Sequence, residues 1–281
     1  MRAKNKVFWL FLIFLCLFSY TAQADAIRVA STIEPISDLI RQVAGEGHEV
    51  LTILPAGANP HTFEMSPRMI RELSAVQMVF TVGVGFDDWV KPLFELGRGM
   101  QRVPLNTHIQ LIEDDPHYWL SIHNAKIIAR NVADGLIQLK PESRQTYEAN
   151  LTRLNEKLDA LFRDIQTLLS EVSNKEILTY HDSWYYFARD FDLQIVATVE
   201  DYHDSEPTPR RLITVNTLVQ RYQIKALFAE SNVNLSFAES VARDLSLTLY
   251  QLDSLGFRPE TKTFSGLMLN NAEVMAEALA P

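Results

Sequence analysis

The chain contains one cysteine, Cys16, among 281 residues. It falls inside an N-terminal leader, so the chain beyond residue 24 has none. Disulfides and thiolate metal sites are thereby excluded there, and any metal must be held by nitrogen and oxygen. A basic surplus is missing as well. The formal net charge is −9, and removing the leader's Arg2, Lys4 and Lys6 gives −9 − 3 = −12. So acidic a surface argues against nucleic acid and anionic membrane as partners. Internal repeats and low-complexity stretches are absent, and so is the H-E-x-x-H pattern of zinc hydrolases. The N-terminal apolar run, residues 7–20, is shorter than the roughly 20 residues that span a bilayer.

That run has another use. Arg2, Lys4 and Lys6 precede it and Ala22-Gln23-Ala24 follows it, the order of basic region, apolar region and small-x-small site found in a signal peptide. Residues 1–24 are therefore expected to be cleaved, leaving Asp25 as the mature start and the periplasm as the destination. Cys16 follows Ile13-Phe14-Leu15, bulky residues that do not suit lipoprotein processing. The remaining 281 − 24 = 257 residues suffice for one large domain or two ordinary lobes.

Short apolar, β-branched runs alternate with helical patterns along this length. Strands are expected at residues 27–32, 50–54, 78–82, 177–180, 194–199, 225–229 and 247–252. Helices are expected at 36–44, 67–73, 89–96, from 124 onward, and at 183–191, 209–222, 236–245 and 265–279. Between the halves, residues 142–172 carry no glycine or proline. Leu151, Leu154, Leu158, Leu161, Ile165, Leu168 and Val172 recur there at three-to-four spacing. One long amphipathic helix follows. The fold class is α/β: two lobes with mainly parallel sheets, residues 25–140 and 174–281, joined by a single long α-helix at 141–173.

Of the seven histidines, three sit in comparable places. His61 lies in a loop entered from the 50–54 strand. His117 follows Asp114-Asp115-Pro116 at the start of a helical stretch, and His181 directly follows the 177–180 strand. Asp253 directly follows the 247–252 strand. Ligands of open α/β sheets bind outside the carboxyl ends of strands, so a cleft between lobes would gather these four. Three imidazoles and one carboxylate suit a zinc site. Taken singly, a loop histidine beside proline is more often a surface or hydrogen-bonding residue than a ligand, and Asp253 more often a turn or helix cap. Glu64, Asp182 and Glu230 are candidates to hydrogen-bond a ligating imidazole, or plain surface and capping charges. His203 lies in an acidic loop that suits either first contact with metal or simple solvation.

Longer segments narrow the choice. Pro60-His61-Thr62-Phe63-Glu64-Met65-Ser66-Pro67 resembles the Pro-His-x-Phe-Glu-Pro-Ser-Pro segment of the solute-binding proteins of zinc and manganese ABC importers. Asp115-Pro116-His117-Tyr118-Trp119-Leu120, Tyr147-Glu148-Ala149-Asn150-Leu151, His181-Asp182-Ser183-Trp184 and Leu252-Asp253-Ser254-Leu255-Gly256 resemble further segments of that family, in the same order. The resemblance covers nearly the whole mature chain. It implies His61, His117, His181 and Asp253 as metal ligands, a helix-linked bilobal fold, a membrane permease as partner and a monomeric binding protein. A periplasmic metallochaperone is a further candidate partner. Histidine at position 181, where manganese members tend to carry a carboxylate, implies Zn(II) over Mn(II) as cargo. Many zinc members carry a long histidine-rich loop ahead of the second ligand, whereas this chain has only residues 108–115. The competing reading, a secreted zinc hydrolase, needs an open metal position and a base. Only Glu64 suggests itself for that base.

Overall fold

The computed structural model describes residues 26–96, 99–200, 207–231, 233 and 235–280. The leader and the loop carrying His203 lie outside them. In the first half, β1 (Arg28–Ser31), β2 (Glu49–Thr52), β3 (Met78–Thr81) and β4 (Gln101–Pro104) form a parallel sheet in the order β2-β1-β3-β4. In the second, β5 (Glu176–Thr179), β6 (Gln194–Thr198), β7 (Ala226–Glu230) and β8 (Thr248–Leu252) repeat it as β6-β5-β7-β8. All pairings are parallel. The two-lobed α/β architecture stands as the sequence implied. Strand order reverses between β1 and β3 and between β5 and β7, and such switch points open a crevice at the carboxyl ends.

The helices are α1 (Glu34–Ala44), α2 (Pro67–Glu72), α3 (Lys91–Leu96), α4 (Ile122–Leu139), α5 (Arg144–Ser170), α6 (Tyr185–Asp190), α7 (Pro209–Tyr222), α8 (Leu235–Asp244) and α9 (Phe264–Ala278). Their starts follow local chemistry. Ser66 and Thr208 cap α2 and α7 by accepting from the amides of Met69 and Arg211, with proline at the first helical position of each. The long helix α5 has 27 residues and is about 40 Å long. It buries Leu151, Leu154, Leu158, Leu161, Ile165 and Leu169. Leu169 rather than Leu168 completes the stripe, because a 3.6-residue turn drifts away from a strict repeat.

One feature escaped the sequence pattern. β4 pairs with β3 at the sheet edge, its exposure alternates, and it ends in Pro104. An edge strand with one wet face tolerates polar residues and proline, so it carries little apolar signature.

α5 packs against α1 and α4 from the first half and against α9 from the second, and α9 also touches α1. The α9 start is fastened by Asp38 on α1, whose Oδ2 accepts from the amide of Phe264 at 2.9 Å. A continuous apolar core therefore runs through both lobes, from Val29 and Phe80 through Leu158 to Phe228 and Leu252. Smaller clusters lie under the outer helices: Ile53, Val79 and Leu93 in one lobe, and Val199, Val215 and Leu227 in the other. Each sheet is covered on both faces, as parallel sheets require.

Candidate metal centre

The carboxyl ends of both sheets face one another, and three imidazoles meet there. His61 lies in a turn of the loop between β2 and α2, where the Asn59 side chain accepts from its amide at 2.8 Å. His117 precedes the tight turn Tyr118–Leu120 that leads into α4, and His181 follows β5. Ring centroids lie 5.5 Å apart for His61 and His117, 5.4 Å for His61 and His181, and 5.2 Å for His117 and His181. One ligand nitrogen from each lies within 4.8 Å of the others. A tetrahedral zinc would draw such nitrogens to roughly 3.3 Å, a small inward movement. Among the described residues, no other group of three such side chains converges in this way.

Two of the rings are aimed by carboxylates. Asp115 Oδ1 accepts from the His117 amide at 2.9 Å and lies 2.7 Å from His117 Nδ1. Glu200 Oε2 lies 2.7 Å from His181 Nδ1. A carboxylate at Nδ1 keeps the proton on that nitrogen and turns the Nε2 lone pair outward, the arrangement typical of metal-binding histidines. This nitrogen-rich pocket between two lobes is what a carrier of a transition-metal ion needs.

Residues 29–278 match the family described as "Zinc-uptake complex component A periplasmic". The chain belongs to this family. Among its relatives, the metal ABC transporter substrate-binding lipoprotein SsaB of Streptococcus sanguinis is 25% identical over 292 residues, covering 95% of this chain and 94% of the relative. The manganese ABC transporter substrate-binding lipoprotein PsaA of Streptococcus pneumoniae is 25% identical over 283 residues, covering 93% and 91%. Among solved structures, the crystal structure of ZnuA superposes with a TM-score of 0.83 at 25% identity, covering 91% of this chain and all of that one. These are solute-binding proteins, so the family's work is binding rather than catalysis.

Within that frame, the structure sorts the residues picked out from sequence. Asp253 does not join the imidazoles. Its Oδ1 accepts from the amides of Leu255 and Gly256 at 2.9 and 2.8 Å, and its Oδ2 from those of Phe257 and Arg258 at 2.9 and 3.3 Å. Thr261 also donates its hydroxyl to Oδ2. A carboxylate bonded in this way caps its own loop in this structure. Glu64 is exposed just ahead of α2. The carboxylates beside His117 and His181 Nδ1 are those of Asp115 and Glu200. Asp182 lies 3.5 Å from His181 Nδ1, so it acts through charge. Glu230, buried at the end of β7, accepts from the Ser183 hydroxyl and, at 2.6 Å, from Trp184 Nε1. It faces His181 through charge as well. His203 falls outside the described residues.

Burial by itself would push the His181 proton off, since a buried cation is costly. The Glu200 hydrogen bond and the charges of Glu230, Glu200 and Asp182 outweigh it, and His181 is pushed up to about 9. The surrounding carboxylates thus favour positive charge on this ring.

Aromatic rings close the other side. Phe86 meets His61 edge-on at 5.3 Å and His117 at 5.9 Å, while Trp119 packs on His117 at 5.2 Å. Trp119 Nε1 donates to the carbonyl of Ser254 at 2.8 Å, tying this wall to the opposite lobe. The sequence reading missed Phe86, Asp115 and Glu200. Glu200 follows the end of β6 as His181 follows β5, so the strand-end rule pointed to it too.

Proposed function

We propose that the protein is the zinc-capturing component of an ABC importer, holding Zn(II) through His61, His117 and His181 and passing it to a membrane permease. The observation that carries this reading is the convergence of three imidazole nitrogens within 4.8 Å. Imidazole suits zinc, whereas oxygen donors suit manganese. The carboxylates that would favour manganese are occupied: Asp253 by its own loop, Asp115 and Glu200 by imidazole rings. A three-nitrogen site leaves the fourth position to water. Copper and nickel would also bind such nitrogens, so metal availability shares in the selection.

Further features complete the reading. Residues 1–24 act as a cleaved signal peptide, and the mature protein works as a monomer in the periplasm. Its lobes, residues 25–140 and 174–281, are joined through 141–173. The relatives named above are lipoproteins; here the bulky residues before Cys16 favour release. A periplasmic metallochaperone is the proposed donor of the metal, and Mn(II) is the alternative cargo.

Titration of the metal-free mature protein against zinc, with a competing chelator, tests the assignment. Single binding is expected. Each of His61→Ala, His117→Ala and His181→Ala should weaken it by more than the roughly 10–100-fold that losing an outer hydrogen-bond partner costs. Wild-type affinity in all three variants would refute the site.

A further inference from the structure

His117 is flanked by two segments of the first lobe, the loop at residues 112–115 and the start of α4 at residues 121–123. A single short helix of the second lobe holds both. The Tyr186 hydroxyl, on α6, donates to the carbonyl of Asp115 at 2.8 Å and accepts from the amide of Ile112 at 3.0 Å. One turn further, Asp190 Oδ2 accepts from the Ser121 hydroxyl at 2.6 Å and lies 3.1 Å from His123 Nδ1. The Asp190 side chain is only 1% exposed. Arg189 joins the cluster, donating from Nη2 to Asp190 Oδ1 at 2.9 Å and to the Ser121 hydroxyl at 3.2 Å.

The second contact is favourable for a reason of its own. Ser121 caps α4 by accepting from the Asn124 amide at 3.0 Å. A carboxylate bonded to that cap sits at the positive end of the α4 dipole. The first contact acts on the ligand more directly, because Asp115, whose carbonyl Tyr186 holds, also aims the His117 ring. α6 itself begins at Tyr185, four residues beyond His181. One rigid run thus leads from one ligand to both flanks of another.

We propose that α6 is a two-point clamp fixing the spacing of His117 and His181 across the lobes, with Tyr186 and Asp190 as positioning residues for metal retention. Neither touches the metal. Their effect comes from holding ligands at a productive separation, which a site must do to within about 0.5 Å. A loosened clamp lets His117 drift from His181 and so acts on the rate of metal loss.

The test is the rate at which zinc-loaded protein releases zinc to an excess of a chromophoric chelator. The inference rests on the three-histidine reading above, and the two fail differently. Wild-type protein that retains no zinc refutes the site; wild type that retains zinc while the variants do so equally refutes the clamp alone. Tyr186→Phe removes one oxygen and keeps the ring, and Asp190→Asn keeps the shape. Each is expected to release zinc at least fivefold faster, with the cobalt(II) visible spectrum altered in the same variants. Asn150→Ala is the control, because Asn150 Nδ2 supports the carbonyl of Val43 at 2.9 Å, within α1 and away from the clamp. It should lower the melting temperature and leave the release rate unchanged. Release less than fivefold faster in Tyr186→Phe, with a melting temperature lowered as in Asn150→Ala, would show that α6 contributes stability only. Should Asp190→Asn fail to fold, Tyr186→Phe decides alone.

Discussion

His181 is surrounded by negative charge. Glu200 lies 2.7 Å from its Nδ1 and Asp182 3.5 Å away, with Glu230 behind. The resulting upward shift, to about 9 from 6.5, fixes a sign. A group whose folded value is raised stabilises the metal-free fold fully below pH 6.5, and that contribution disappears as pH rises through 9. Zinc needs the neutral ring, so apparent affinity should climb from neutral pH toward 9 as the competing proton leaves. Zinc binding at pH 7.5 should therefore release about one proton from this residue, read by calorimetry in buffers of different ionisation enthalpy. Glu200→Gln removes the largest upward influence. It should release fewer protons and bind zinc roughly 10–100-fold more weakly. Equal proton release in wild type and variant would show that Glu200 does not control this ring. The convergence of the three histidines was legible from strand ends and family segments. The loop-capping bonds of Asp253 were not, because they depend on where the Leu255, Gly256 and Phe257 amides point once the chain has folded.

At the scale of elements, the pattern of buried residues accounts for most of what folds. α5 was readable because nothing interrupts residues 142–172 and one face is leucine-rich. The strands were readable because both faces of a parallel sheet are apolar. β4 was not, since an edge strand ending in proline looks like a loop. α5 contacts helices of both halves. Leu158 sits near its middle, fully buried. Leu158→Ala should cost about 2–5 kcal/mol of unfolding free energy, the usual penalty for a cavity in a packed core. Chemical denaturation measures it. Zinc affinity should stay within a few-fold of wild type, because Leu158 lies in the shared core rather than at the strand ends. A large affinity loss without a stability loss would mean that α5 sets the site geometry directly.

Over the whole molecule, the two lobes are less independent than two sheets suggest. They share one core, α9 is fastened to α1 through Asp38, and Trp119 bonds to Ser254 across the cleft. Wide hinge opening would break all of these together. On the proposed site, metal exchange is then expected to use local movement, at the His61 loop, which is only half-buried, and at the contacts of α6 with the flanks of His117. The sequence could not show this, since it depends on which loops meet across the cleft rather than on any motif. The central claim is that three imidazoles hold the ion while Asp253 serves its own loop. X-ray absorption at the zinc edge of the loaded protein tests that most directly. Three imidazole nitrogens at about 2.0–2.1 Å with one oxygen are expected, and the same spectrum from folded Asp253→Ala. A spectrum of wild type with two imidazoles or fewer, or one that changes when Asp253 is removed, would contradict the account.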